Sequence, residues 1–319
     1  MAGGIEGAGS GAVAAGSVPP LRLRADVLRH FAGTPRLRDP RGRTRRPALV
    51  RAVWQGRPAL LVRGRFLWLE RFGVERAAAV RFCEVTGDTN PIHREGDVLP
   101  GAYTAAKLLL ALEVLLADAE IESFSIKFTA VGRYGSDLFS KVVLTPTPTG
   151  AHVQAVTSQG GVPIAEMEGE ARRLAPGGSR PARVSRRQVH EAQLRAVRAF
   201  MRALGVHPAA YLGRRGFGGY TYPRAYLAAL PSGEMVRQLR GQGGLLNKLT
   251  LRFEPGSRIP IVEPRAPAVT LEQPARRSQR AFQRILAAIS HSVRTYATAT
   301  ALVLRGDAAR SRLLAEPGA

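Results

Sequence analysis

The most continuous apolar stretch of the chain begins at Pro100 and runs to Ala119, interrupted by charge only at Lys107, Glu113 and Asp118. Proline in the first turn, where its missing N–H costs nothing, predicts a helix start. Some twenty residues at 1.5 Å each make a rod of about 30 Å. With apolar residues on nearly every side, such a helix must be wrapped by other structure. Its uncharged run, Leu108 to Leu112, is far too short to span a membrane. Ser123 to Ala130 then alternates with a period of two, the mark of a half-buried strand, and Phe124, Ile126, Phe128 and Ala130 are expected to face the helix. Further strands are predicted at Leu138–Thr145, Ala151–Thr157 and Ile164–Arg172, and one ahead of the helix at Ala59–Leu69. Val74–Thr86 reads as a short helix closed by Gly87, since glycine accepts the left-handed conformation of a helix end.

Residues 175–184, rich in Pro and Gly, read as a linker. After them Ser185-Arg-Arg-Gln188 has the spacing of a capping box and predicts a helix to Leu204, stopped by Gly205. Tyr211–Pro231, rich in Gly, Tyr and Pro, takes no assignment. The run from Lys248 to Arg258 repeats the flavour of Ser125–Arg133, with alternating apolar residues and then a turn. Arg280–Ser290 and Val293–Arg305 are two further strand-like runs. The chain therefore divides into a tail (residues 1–20), a first domain (21–174), the linker and a second domain (185–319), as its 319 residues allow.

Composition narrows the partners. The net charge is +23, carried almost wholly by arginine, with lysine only at positions 107, 127, 141 and 248. Thirteen of the arginines and only two acidic residues fall between Leu21 and Arg65, densest from Arg36 to Arg46. Arginine grips phosphate and carboxylate through its planar fork. No recognition helix, zinc finger or aromatic-interleaved basic motif accompanies the charge, so nucleic acid is not expected. The arm reads as a solvated segment, or as a dock for a phosphorylated cofactor handle or an acidic protein. Cys83 is the single cysteine, which excludes an intrachain disulfide. The first residues lack the basic start and apolar core of a signal peptide, and the expected location is the cytoplasm.

The candidate chemistry precedes the long helix: Gly87-Asp88-Thr89-Asn90-Pro91-Ile92-His93, with Gly101 eight residues further on. The Asn-Pro step pushes Asn90 toward extended geometry and is expected to bar helix there, so that a carboxylate, an amide and an imidazole share one tight loop. Each has an ordinary role available, Asp88 and Asn90 in turns and His93 as a structural polar residue. Together and in this order, Gly-Asp-x-Asn-Pro-Ile-His resembles the signature of MaoC-like dehydratases and (R)-specific enoyl-thioester hydratases. The resemblance covers roughly residues 76–174. It implies an α+β fold of the hot-dog type, a long central helix wrapped by a curved antiparallel sheet. The order of elements in the second domain suggests a double hot-dog with a degenerate second half, since that half has no such motif. Between His93 and Gly101 only Arg94 to Pro100 intervene, fewer residues than the family usually has, and Pro100 stands where it often has histidine.

The resemblance implies that Asp88 and His93 hold a catalytic water. Asn90 would orient the pair, and Gly101 would offer a helix-end N–H to a carbonyl oxygen. Arg94, Pro100 and Tyr103 are the expected substrate contacts. The implied reaction interconverts (R)-3-hydroxyacyl and trans-2-enoyl thioesters of coenzyme A (acyl-CoA) or of an acyl carrier protein, with no cofactor and no metal, in a chain that could pair as a homodimer. A non-catalytic acyl-thioester-binding subunit is the alternative from another class, and a hot-dog thioesterase is a third. No metal-ligand spacing and no Gly-x-Ser-x-Gly elbow occurs.

Overall fold

A computed structural model describes residues 59–62, 65–116, 119–174, 184–213, 219–238, 244–272 and 282–305. The tail 1–20, the arginine-rich 36–46 segment and nearly all of the linker lie outside these residues. The first half begins with β1 (Ala59–Val62) and β2 (Arg65–Gly73), a hairpin where the sequence suggested one strand. α1 (Arg76–Thr86) and the short α2 (Pro91–Arg94) lead into α3 (Gly101–Leu115), followed by β3 (Ala119–Phe128), β4 (Asp137–Thr147), β5 (Gly150–Gln159) and β6 (Val162–Arg173). α3 is shorter than the apolar run predicted, because Ala119 already pairs with Arg173 in the sheet. Its side chains are buried from Ala102 through Val114, including Thr104, Lys107 and Glu113. Phe124, Ile126 and Phe128 are buried in the predicted phase, while Ala130 falls beyond the end of β3 and is half-buried.

The capping box at Ser185 is present, yet it caps a single 3-10 turn, Arg186–Gln188. The chain then extends so that the His190 N–H can donate to the Ile261 carbonyl at 2.9 Å, and α4 (Glu191–Ala203) starts only afterwards. α5 (Arg224–Gln238) begins in the stretch that the sequence left unassigned and runs beyond it, with Pro231 inside the helix. β7 (Gly244–Phe253), β8 (Ala268–Glu272), β9 (Phe282–His291) and β10 (Arg294–Arg305) complete the described residues. β8 has no counterpart among the sequence expectations; it is five residues long, with only Val269 and Leu271 turned to the core.

All ten strands form one antiparallel sheet in the order β1-β2-β4-β5-β6-β3-β7-β10-β9-β8. Helix, then strand, then a meander that closes back beside that strand occurs twice: α3 with β3 to β6, and α5 with β7 to β10. The two runs meet where β3 pairs with β7, about the Ser125–Thr250 pair, whose hydroxyls lie 3.1 Å apart. Each of these strands carries a one-residue bulge at the same distance from that pair, at Glu122 and at Asn247. α3 and α5 pack on each other, and the C-terminal end of α4 roofs α3: the Tyr103 hydroxyl donates to the Ala203 carbonyl at 3.0 Å and Lys107 Nζ to the Leu204 carbonyl at 2.7 Å. Phe200 of α4 bridges the halves, 5.6 Å from the Phe82 ring and 5.0 Å from Tyr226.

The second half thus covers α3, and β7 satisfies the edge of β3. A chain ending at Pro181 loses both covers and exposes a strand edge beside an apolar helix. It should aggregate or dimerise; a well-behaved monomer in size-exclusion chromatography with light scattering would show the halves to be independent.

Candidate active site

α1 ends at Thr86, and Gly87 at φ 75° turns the chain outward. The Asp88 N–H still reaches back to the Cys83 carbonyl at 2.9 Å, which anchors the start of the motif to the helix. Asn90 is extended, as the following proline requires, but Pro91 then opens a helical turn instead of preventing one. Asn90 is the N-cap of α2: its Oδ1 accepts from the Ile92 N–H at 3.4 Å. Its Nδ2 donates to the Gly244 carbonyl at 3.1 Å, tying the loop to β7. Its backbone N–H donates to Asp88 Oδ1 at 3.1 Å. The orienting task expected of the Asn90 side chain is thus carried out on Asp88 by its backbone.

His93 sits on α2 and is buried. Its Nδ1 lies 2.9 Å from the Val98 carbonyl oxygen. A carbonyl can only accept, so Nδ1 carries the proton and Nε2 keeps its lone pair. Burial holds the His93 imidazole below its ordinary range, and the Asp88 charge and the Val98 carbonyl oppose that shift. The residue is therefore neutral and basic at Nε2. The turn that carries it is clasped from outside, by the Tyr134 hydroxyl on the His93 carbonyl at 2.8 Å and by Arg76 Nη2 on the Arg94 and Glu95 carbonyls at 2.9 and 2.6 Å.

His93 opens onto a cavity of about 870 Å³, mouth included, whose wall comes from both halves. Asn90, His93, Leu99, Gly101, Phe128 and Ile164 line it from the first half, and Ser232, Met235, Val236, Leu245, Leu246 and Val303 from the second. Its polar side chains are Asn90, His93, Thr104 and Ser232, and most of the rest of the lining is apolar. Gly101 and Ala102, the first two residues of α3, also line it, and the leading N–H groups of a helix have no intrahelical acceptor. A Cβ on Gly101 would stand 3.0 Å from the Phe128 ring, so glycine there lets the ring close over the helix end.

Asp88 is nearly fully buried and stands behind this wall. Its Oδ2 accepts from the Ser232 hydroxyl at 3.3 Å, and Ser232 is itself in the wall. The three expected substrate contacts do not reach the cavity. Tyr103 turns to α4 and packs edge-on against Phe82 at 5.2 Å, Pro100 is the buried N-cap of α3, and Arg94 is exposed. Ser232 was missed because it lies just past the unassigned Tyr211–Pro231 stretch, ahead of Lys248, where no element was predicted. The available signal was Pro231-Ser232-Gly233, an interruption inside an otherwise helical run. A Cβ on Gly233 would collide with the Thr86 carbonyl oxygen, so the glycine allows α5 to touch the loop that bears Asp88. Among the described residues no group of three or more His, Cys, Asp or Glu could hold a metal, and no helix is long and apolar enough to cross a membrane. Burial pushes the Cys83 thiol up to about 12, which leaves it unreactive filler.

Gly233→Ala should displace the Thr86–Asp88 segment and cost about 1–3 kcal/mol in denaturant unfolding, the usual range for overpacking. A neutral, buried His93 also has a pH signature. The unfolded chain takes a proton near 6.5 where the folded one does not, so stability should fall as pH is lowered from 6.5. His93→Gln should remove part of that slope in a plot of Tm against pH.

No protein-family model matches the chain, and no curated protein matches it. Solved structures do. A MaoC-like dehydratase superposes with a TM-score of 0.51 at 10% identity, covering 75% of this chain and 97% of the other. A MaoC-like dehydratase from Phytophthora capsici gives 0.51 at 12% identity, covering 77% and 97%. HtdX of Mycobacterium tuberculosis gives 0.48 at 14% identity, covering 74% and 98%. At such identities the likeness concerns architecture alone: the chain has the α+β hot-dog fold of MaoC-like dehydratase structures.

Proposed function

We propose that the protein is a hydro-lyase that interconverts trans-2-enoyl and (R)-3-hydroxyacyl thioesters, on coenzyme A or a carrier protein. We read its second half as a degenerate hot-dog unit, making the whole a double hot-dog. The observation that carries the proposal is the tautomer of His93, fixed by the Val98 carbonyl, which leaves a basic Nε2 on a residue of a mostly apolar cavity that a helix N-terminus also faces. The fold alone hosts several chemistries. This combination of base, helix-end donors and apolar sleeve suits addition of water beside a thioester.

In the hydration direction the water oxygen bonds to C3 of the enoyl group and one of its protons passes to His93 Nε2. The π electrons move toward the thioester carbonyl, whose oxygen accepts from the N–H groups at Gly101 and Ala102. The proton held on Nε2 is then delivered to C2 while the other water proton stays on the C3 oxygen, so that the C2–H and C3–O bonds complete the 3-hydroxyacyl product and His93 is neutral again. Asp88 stabilises the imidazolium that forms, and the Ser232 hydroxyl holds that carboxylate from the cavity side. The acyl chain would lie along the apolar wall that the second half supplies. The contacts of Arg94, Pro100 and Tyr103 are not part of this mechanism.

Asp88→Asn and His93→Ala should each lower kcat by about 10²- to 10⁴-fold, the usual worth of one general acid or base. Circular dichroism should remain as in the parent. The assay is loss of the conjugated enoyl-thioester absorbance with crotonyl and longer substrates. Near-full activity in both variants would refute the dyad, release of free thiol would identify a thioesterase, and binding without turnover by the parent would leave a non-catalytic acyl-thioester subunit.

A further inference from the structure

The opening of α3, Pro100-Gly101-Ala102-Tyr103, recurs at α5 as Pro223-Arg224-Ala225-Tyr226. β3 and β7 likewise correspond about the Ser125–Thr250 pair, bulges included. The cavity corner at the head of α3 therefore has a two-fold-related corner at the head of α5, and at three positions a small or apolar residue of the first is matched by a charged one in the second. Gly101 becomes Arg224. The Phe128 ring that closes on Gly101 becomes the Phe253 ring, 5.1 Å from the Arg224 guanidinium carbon. Val236 and Leu245, apolar wall residues of the cavity, correspond to Glu113 on α3 and Glu120 on β3.

At the second corner these side chains meet one another and the helix end. Glu113 accepts from the Arg224 and Ala225 backbone N–H groups at 3.0 and 3.1 Å, the two donors that match Gly101 and Ala102. Arg224 Nη2 lies 3.1 Å from Glu120 Oε2, and its Nη1 donates to the Ile121 carbonyl. Arg258 approaches both carboxylates, at 3.7 and 3.8 Å, and donates to the Tyr211 hydroxyl at 2.8 Å. The four charged side chains are at most 5% exposed. A helix end that takes a carboxylate at one corner is also a physical precedent for the oxygen-accepting role given to its mate.

We propose that the corner around Arg224 is a second acyl-thioester site sealed from within, Arg224 filling the space of the thioester head and Glu113 standing where its carbonyl oxygen would sit. The chain then binds one ligand. The identity of that ligand rests on the function proposed above; the sealing itself rests on the comparison of the two corners.

The test uses the full chain and octyl-coenzyme A thioether, which can be neither hydrated nor hydrolysed. Without ligand, residue-resolved hydrogen exchange should find the Arg224 and Ala225 amides protected and those of Gly101 and Ala102 fast. Equal protection at the two corners of the ligand-free chain would overturn the sealing. With the thioether, native mass spectrometry should show one bound molecule, and only the Gly101 and Ala102 amides should slow. Two bound molecules, or slowing at Arg224 and Ala225, would overturn it as well. The charge-neutral variant E113V/E120L/R224G/R258M copies Val236, Leu245 and Gly101 into the sealed corner and removes the remaining charge at Arg258, and apolar replacement of a whole buried ion network is often tolerated. Folded, it should take two xenon atoms or two thioethers where the parent takes one; a count that stays at one refutes the proposal. If the variant does not fold, the exchange comparison on the parent decides. Failure of the parent to bind the thioether, with the exchange pattern as expected, would instead refute the reading of the open cavity as an acyl-thioester site.

Discussion

A helix with no polar face has to be covered all the way round, and α3 imposes that requirement on everything else in the chain. A sheet curved around a helix covers one side. The remaining sides fall to α5 and the end of α4, both from the second half, and continuous pairing of β3 with β7 keeps them in place. The two charges buried on α3 serve that union. Lys107 donates to the carbonyl at the end of α4, and Glu113 accepts the first N–H groups of α5. Each answers a helix terminus that would otherwise be buried unsatisfied. Removing either partner alone would leave a charge or a helix end without compensation, which is why such groups cost far more to lose singly than as a set.

The same union makes the cavity. The motif loop supplies Asn90 and His93, and α3 supplies Gly101, but the opposite wall and the hydroxyl that holds Asp88 come from α5, β7 and β10. Close approach is what allows this: Gly233 removes the side chain that would separate α5 from the loop, and Asn90 reaches across to the start of β7. The site therefore belongs to the packed pair of halves. Its base is set by a short local contact, the Val98 carbonyl on His93 Nδ1, and its apolar sleeve by contacts far away in sequence.

The asymmetry between the two corners follows from a few side chains on nearly equivalent backbones. Where Gly101 leaves the helix end open, Arg224 with Glu113 and Glu120 closes it. An open corner of this kind exposes N–H groups and apolar wall to whatever enters; a closed one turns the same backbone into a buried ionic joint. At the closed corner the helix end is satisfied by the protein itself, through Glu113.

The sequence by itself determined what short-range physics controls. The apolar run of α3, the alternation of β3, the end of α1 at Gly87 and the extended Asn90 before Pro91 were all legible, because periodicity and backbone sterics act within a few residues. His93 and Gly101, which the motif singled out, lie on the cavity wall. Tertiary structure decided the rest. It ended α3 early by drawing Ala119 into the sheet, split the predicted first strand into a hairpin, and confined the Ser185 capping box to one turn because His190 is held by Ile261. It formed α5 across Pro231 and Gly233, residues that weaken a helix by local propensity, with α3 and the loop bearing Asp88 packed against it. It also set Asp88 behind Ser232 and turned Tyr103 away from the cavity. The direction of a buried side chain depends on which distant surface covers it, and no periodicity in the chain encodes that.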